Sequence, residues 1–147
     1  MTQIRFVIPG APQGKGRPRA SARRVGAKTV VRMYTPEKTV SYEGQIAAAA
    51  AQAMAGRQLL EGPVLLSLDI CFPVPASWSK RKQAQALAGE LAPTKKPDID
   101  NVAKAIADGV NGIVWVDDVQ VCEIHARKRY GQTPGVIVVI ERAAAAA

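Results

Sequence analysis

The sequence predicts an α+β fold: a single domain with a mixed β-sheet and about three helices, in the order ββαβααβββ. Three observations lead there. The chain has 147 residues, 48% hydrophobic and 22% charged, which fits one globular domain able to bury a core. Apolar segments of strand length are interspersed with one long alanine-rich segment and two shorter segments of helical spacing. The 10 Pro and 12 Gly punctuate the chain, many of them at the joints between these segments. The domain is expected over residues 1–142, with 143–147 as a disordered alanine tail. No apolar run approaches the roughly 20 residues that span a bilayer. Arg5 interrupts the only apolar stretch near the N-terminus, so neither a membrane span nor a signal peptide is expected, and the predicted location is cytoplasmic. Cys71, Cys122 and the single His125 cannot make a four-ligand zinc site, and both cysteines read as buried small apolar residues.

Each element has a local reason. Residues 4–8 are a short apolar strand stopped by Pro9-Gly10. A basic loop follows. Residues 29–34 are β-branched and alternating, and read as a second strand completing a long-looped hairpin. Thr35-Pro36-Glu37 starts a helix, with Thr35 as N-cap and Pro36 in the first helical position. That helix runs through Tyr42, Ile46, the alanines 47–51 and Met54 to a stop at Gly56. Residues 63–72 are the strongest strand, apolar enough to lie centrally, and Pro73 and Pro75 end it. Ser79 caps a short basic helix over 80–87 that ends at Gly89, and 91–97 form a loop bearing Lys95 and Lys96. Asp100 caps a helix over 101–110 whose apolar face is Val102, Ala103, Ile106 and Val110. After the Asn111-Gly112 turn, 113–116 are a short strand leading into Asp117-Asp118. Residues 119–130 and 135–140 are the last two strands.

The formal net charge of +8 is confined to one region. Residues 1–36 hold Arg5, Lys15, Arg17, Arg19, Arg23, Arg24, Lys28 and Arg32 and no acid, whereas the other 111 residues carry 12 basic and 12 acidic side chains. Such a concentration attracts polyanions, nucleic acid above all. Gly14, Gly16 and Pro18 suit an ordered loop against phosphates. No apolar face accompanies the charges, which argues against a membrane surface. The candidate DNA contacts are Lys15, Arg17, Arg19, Arg23 and Arg24; the bland alternative is a solvated loop that aids solubility.

Asp98-Ile99-Asp100 is the first chemically suggestive element. On extended backbone, residues two apart share a face, so Asp98 and Asp100 are expected to converge on one cation while Ile99 faces the core. Mg²⁺ takes one or two carboxylates and leaves its other sites to water and phosphate. The helix that follows offers free N–H groups and a positive dipole end to a phosphate. The adjacent pair Asp117-Asp118 is costly among basic residues unless something positive sits between the acids. One helix and one turn separate the two elements, so they can meet. Lys104 lies four residues after Asp100 on the same helical face, about 6 Å along the axis, where an ammonium can reach a metal-bound phosphate. His125 lacks triad partners and reads as structural or as a backbone contact.

Lys95-Lys96-Pro97-Asp98-Ile99-Asp100-Asn101, with Lys104, Asp108, Asn111-Gly112 and 116–121 (Val-Asp-Asp-Val-Gln-Val), resembles the signature of the RusA-type Holliday junction resolvases. Gly10-x-Pro12-x-x-Lys15-x-Arg17-Pro18-Arg19, Thr35-Pro36 and Tyr42-Glu43 are similar to the phage and prophage branch of that family. The resemblance covers nearly the whole chain. It implies a homodimeric, Mg²⁺-dependent, structure-selective endodeoxyribonuclease, with Mn²⁺ able to substitute, that nicks four-way DNA junctions in recombination and repair. It implies metal carboxylates at Asp98, Asp100 and Asp118 with Asp117 as helper, the essential helix lysine at Lys104, and DNA contacts at Lys95 and Lys96. Pro97 stands directly before the first of these acids, where some relatives carry a DNA-contacting arginine.

Two rivals are weighed against this reading. A non-enzymatic DNA-binding protein accounts for the basic arm but leaves both acidic elements unexplained, and no helix-turn-helix or zinc-finger spacing supports it. A phosphatase or another metal-dependent phosphodiesterase would keep the Asp-x-Asp and change the substrate. No Gly-x-x-x-x-Gly-Lys segment is present, so no nucleotide cofactor is expected. A junction has two-fold symmetry, and paired nicks need two sites related by it, hence a homodimer, with the alanine-rich helix and residues 136–140 as candidate interface.

Overall fold

A computed structural model of the protein describes residues 3–16, 19–34 and 37–143, the side chains of 19–21, 34 and 37–40 excepted. Along the chain run β1 (Ile4–Pro9), β2 (Arg19–Val25), β3 (Lys28–Tyr34), α1 (Glu37–Met54), β4 (Val64–Pro73), α2 (Lys80–Leu87), α3 (Ile99–Val110), a 3-10 turn (Asp118–Gln120), β5 (Val121–Gly131) and β6 (Gly135–Arg142). Four strands make the main sheet in the order β1-β6-β4-β5, and β2 and β3 pair only with each other. β6 is antiparallel to both β1 and β4, while β4 and β5 are parallel, so the sheet is mixed. A parallel pair needs a long crossover, and the stretch containing α2 and α3 provides it. The α+β, three-helix, single-domain architecture is therefore as predicted.

The core lies between one face of this sheet and the helices. Val64, Leu66, Leu68 and Ile70 of β4 are buried there, while the alternate residues Leu65, Ser67 and Asp69 are half-buried on the opposite, open face. Helix α1 buries every fourth residue, Tyr42, Ile46, Ala50 and Met54, and α3 buries Val102, Ala103, Ala105, Ile106, Gly109 and Val110. Gly109 lets these helices close on each other, because a Cβ there would lie 2.6 Å from Ile46 Cγ2. The Ser79 cap is present, its hydroxyl accepting from Lys82 N–H at 3.2 Å.

Several sequence expectations change. The observed order is βββαβααββ, because one strand sits at 19–25 and none at 113–116. The basic stretch is not all loop: Arg19–Val25 forms β2, closed on β3 through the two-residue turn Gly26-Ala27. Residues 29–34 thus pair with β2, and β1 pairs with β6, whose apolar alternation matches its own. Residues 113–116 are a turn, because Ile113 and Val114 N–H donate back to the Val110 carbonyl at 2.9 and 3.0 Å. Their apolarity serves burial instead, since Val114 and Trp115 are fully buried. Helix α3 begins at Ile99 with Asp98 as N-cap, not at Asn101 after an Asp100 cap. Residues 118–120 are a 3-10 turn, so the next strand starts at Val121. Cys71 is buried, but Cys122 is exposed, at the foot of edge strand β5. The Thr35 cap and Pro36 lie outside the described residues, as do 144–147; Ala143 N–H donates to the Pro63 carbonyl at 2.9 Å.

Candidate active site

The first turn of α3 and the 3-10 turn before β5 flank one hollow. It measures about 510 Å³ and is lined by Asp100, Lys104 and Asp118 above an apolar floor that includes Leu66, Ala103 and Ile124. Asp100 and Lys104 share this wall because they are four residues apart on one helix. Asp98 and Asp100 do not share it. Asp98 is the N-cap and Asp100 the second helical residue, and on helical backbone residues two apart diverge. Ile99 accordingly is 38% exposed and lines the hollow instead of the core. Asp98 is exposed at the helix N-terminus and makes no side-chain capping bond, so its oxygens are not taken up by the helix N–H groups.

The two adjacent acids divide their work. Asp117 caps the 3-10 turn, accepting from Val119 N–H at 3.3 Å, while Gln120 Oε1 accepts from the N–H groups of Val116 and Asp117 at 2.9 and 3.0 Å. Gln120 Nε2 donates to the carbonyls of Leu60 and Gly62, both at 2.9 Å, which ties the turn to the segment before β4. This is a capping box, Asp-x-x-Gln, a local pattern that the reading of Asp117-Asp118 as a plain acidic pair misses. Asp118, so held, faces the hollow. A hydrogen bond with Asp117 raises its carboxyl above the usual range. Desolvation and the Asp117 charge push the same way, Lys104 opposes, and Asp108 adds to the rise.

Such crowding of anions suits a hard divalent cation, and two carboxylates match what Mg²⁺ takes from a protein. Among the described residues, no three His, Cys, Asp or Glu side chains are gathered tightly enough to enclose a cation by themselves. The two carboxylates that line the hollow, Asp100 and Asp118, fit a Mg²⁺ that keeps its remaining positions for water and phosphate, while Asp98 stands outside that lining at the N-terminus of α3.

The N-terminal loop reaches this site. Lys15 N–H donates to the Asn101 carbonyl at 3.1 Å, and Gly14 packs where a Cβ would lie 3.0 Å from Asn101 Cβ and 3.1 Å from Pro97 Cβ. A side chain there would press on both, so Asn101 or Pro97 would have to give by a few tenths of an ångström. Lys15 is a candidate phosphate contact by sequence, but its ammonium bonds Glu43 and lies 3.1 Å from Asp108 Oδ2. The Glu43 hydrogen bond raises the Lys15 pKa, burial opposes, and Asp108 adds to the rise. Tyr42 lies beneath the same loop, its hydroxyl buried next to the Gln13 backbone without meeting the geometry of a full hydrogen bond; burial raises its pKa and the Gln13 backbone opposes.

The other candidates fall around the site. Lys95 and Lys96 are exposed on the loop leading to Asp98, where Lys128 Nζ donates to the Lys95 carbonyl at 2.6 Å. Arg23 and Arg24 are exposed on the β2–β3 hairpin; Arg17 lies outside the described residues, and Arg19 is described in its backbone only. The hairpin has two faces. Arg23 pairs with Val30 on one side, whereas Ala22 pairs with Val31 on the other. His125 is exposed on the open sheet face, 2.8 Å from Glu123, and takes no part in the acidic site.

Comparison with known proteins identifies the family. The family described as Endodeoxyribonuclease RusA matches residues 9–141. The chain is also 35% identical over 147 residues to the uncharacterized protein YqaN of Bacillus subtilis (strain 168), spanning 99% of this chain and 100% of that one. The match covers nearly the whole chain, so the chain belongs to the RusA endodeoxyribonuclease family.

Proposed function

We propose that the protein is a Mg²⁺-dependent endodeoxyribonuclease that resolves four-way junctions by paired nicks, acting as a homodimer in the cytoplasm. The observation that carries this reading is the hollow where Asp100, Asp118 and Lys104 meet, in a chain of the RusA family. Asp100 and Asp118 would hold Mg²⁺ or Mn²⁺ in the hollow, with Asp117 fixing the position of Asp118 and Asp98 adding its negative charge at the N-terminus of α3. When bound, such a metal lowers the pKa of water and neutralises charge on a scissile phosphate. Lys104 supplies a cation to the phosphate oxygens as charge grows on them. The N-terminus of α3 offers its unpaired N–H groups to the same phosphate. Arg17, Arg19, Arg23, Arg24, Lys95 and Lys96 hold the flanking duplex through its backbone, which gives affinity without sequence readout.

Support for the dimer comes from the open sheet face, where Ile137 and Val139 of β6 are only half-buried beside a hollow of about 410 Å³. Their neighbours Val136, Val138 and Ile140, which belong to the candidate interface segment 136–140, are buried in the core. The test is a nicking assay on a four-way junction with Mg²⁺ or Mn²⁺, with and without EDTA. Symmetric paired nicks that EDTA abolishes are expected. Cleavage that persists in EDTA, or release of phosphate from small esters without DNA cleavage, overturns the proposal.

A further inference from the structure

The basic arm and the helix lysine are joined by a chain of alternating charge: Glu43, Lys15, Asp108, Lys104. Asp108 is its centre. One oxygen, Oδ1, lies 3.5 Å from Lys104 Nζ, and the other, Oδ2, lies 3.1 Å from Lys15 Nζ. Lys15 is bonded in turn by Glu43 of α1. The side chains of Lys15, Glu43 and Asp108 are each only about a quarter exposed, whereas Lys104 is 58% exposed and lines the hollow. The three inner groups are thus fixed by packing and by one another, and the fourth projects from them into the site. The Lys15 backbone bond to Asn101 locks the same loop to the first turn of α3.

We infer that Asp108 is a positioning residue for Lys104, with Lys15 and Glu43 holding Asp108 in place; this rests on the reading of Lys104 as a cation serving the scissile phosphate. A lysine has a flexible four-carbon stem, and an unpaired ammonium at a helix surface samples many rotamers. A carboxylate four residues further along the helix narrows that range. If both Asp108 oxygens turned to Lys104, the ammonium would be drawn back toward its own helix. Lys15 occupies one oxygen and leaves a single, longer contact, so Lys104 is oriented and still available. This assigns Lys15 to the cleavage apparatus instead of the phosphate-binding arm.

The test is a double-mutant cycle with Asp108→Asn and Lys104→Ala in single-turnover junction cleavage, with junction affinity measured alongside. Asp108→Asn is expected to slow cleavage about tenfold or more, as misplacement of a reacting group does, with affinity unchanged or tighter. In the Lys104→Ala background the same change should cost less than about twofold, because the group it positions is gone. An equal loss in both backgrounds means a merely structural role and overturns the proposal. Should Asp108→Asn fail to fold, Lys15→Gln replaces it in the cycle, with slower cleavage and an unaltered salt dependence of binding expected. A readout that needs no activity is the NMR mobility of the Lys104 side chain, ordered in the wild type and mobile in Asp108→Asn; equal mobility in both also overturns the proposal. Wild-type protein that cuts no junction, or Lys104→Ala cutting at the wild-type rate, defeats the reading of Lys104, while the NMR comparison still decides the positioning.

Discussion

Asp117 and Asp118 stand side by side, yet one closes a turn and the other faces the site. That difference sets what each substitution does. On the proposed function, Asp100→Asn and Asp118→Asn remove a carboxylate that would hold the metal while keeping shape, so junction cleavage should fall by at least about a hundredfold, a loss typical of a deleted charge-stabilising group. Binding should survive. Asp117→Asn should retain much more activity, because Asn caps helical turns about as well as Asp. Single-turnover cleavage and junction affinity for the three variants check this, and wild-type cleavage by Asp118→Asn would refute the assignment. Asp69, on the open sheet face, offers a test by pH. Burial pushes its carboxyl up, but hydrogen bonds from Arg129 (2.9 Å) and Arg127 (3.2 Å) outweigh this and hold it below the usual range. A depressed carboxylate contributes stability that is fully present above its unfolded pKa, about 3.9, and is lost as pH falls through the lower folded value. Asp69→Asn should therefore be less stable than wild type at neutral pH, with the gap closing below about pH 4. Denaturant melts from neutral pH down to about one unit below that range measure it, and a gap independent of pH would refute it.

At the scale of elements, the hairpin β2–β3 forms a two-stranded sheet of its own, apart from the main sheet. An isolated two-stranded ribbon is marginal in water, and this one leaves Val31 and Met33 more than 60% exposed. Its stretch from Ala22 to Met33 carries Arg23, Arg24, Lys28 and Arg32 and no acid. A two-stranded ribbon can enter the major groove of DNA, and the proposed function sets these cations against the flanking phosphates. Replacing Arg23, Arg24 and Arg32 together by Ala should flatten the slope of log K against log salt by up to about 2.7, at about 0.9 for each phosphate no longer neutralised. Lys15→Gln should leave that slope unchanged, because its ammonium is already bonded to Glu43 and near Asp108. Binding measured at several salt concentrations decides, and an unaltered slope in the triple variant would mean that the hairpin does not lie on phosphates.

At the scale of the molecule, the sheet has helices over one face, while its other face carries a half-exposed apolar strip beside charged pairs. Among the described residues no helix is long and apolar enough to cross a membrane. A second copy packed on the open face would bury Ile137 and Val139 and present two active sites in a symmetric pair. Ile137→Asp should convert the sedimenting species from dimer to monomer. It should also change paired nicking into single, uncoupled nicks. A monomeric wild type with intact paired nicking would defeat this arrangement.

Much of this protein is legible in its sequence, and the legible parts share one property. The four-residue spacing of Tyr42, Ile46, Ala50 and Met54, the apolar run that becomes the central β4, the Ser79 cap and the apolar stripe of α3 are all local patterns. Each is set by backbone geometry acting over a turn or two, which the order of residues encodes directly. The placement of Asp100 with Lys104 follows for the same reason. Asp98-Ile99-Asp100 misleads because an alternating triplet suits either an extended segment or a helix start, and the helix begins two residues earlier than Asn101. Residues 113–116 mislead because apolarity reports burial, and a turn can be buried as deeply as a strand. Strand partners and the ion pairs of Lys15 are decided by tertiary structure alone. A charge or a strand can find its partner far along the chain, and which one it meets depends on how the helices close on the sheet, not on any neighbour in sequence.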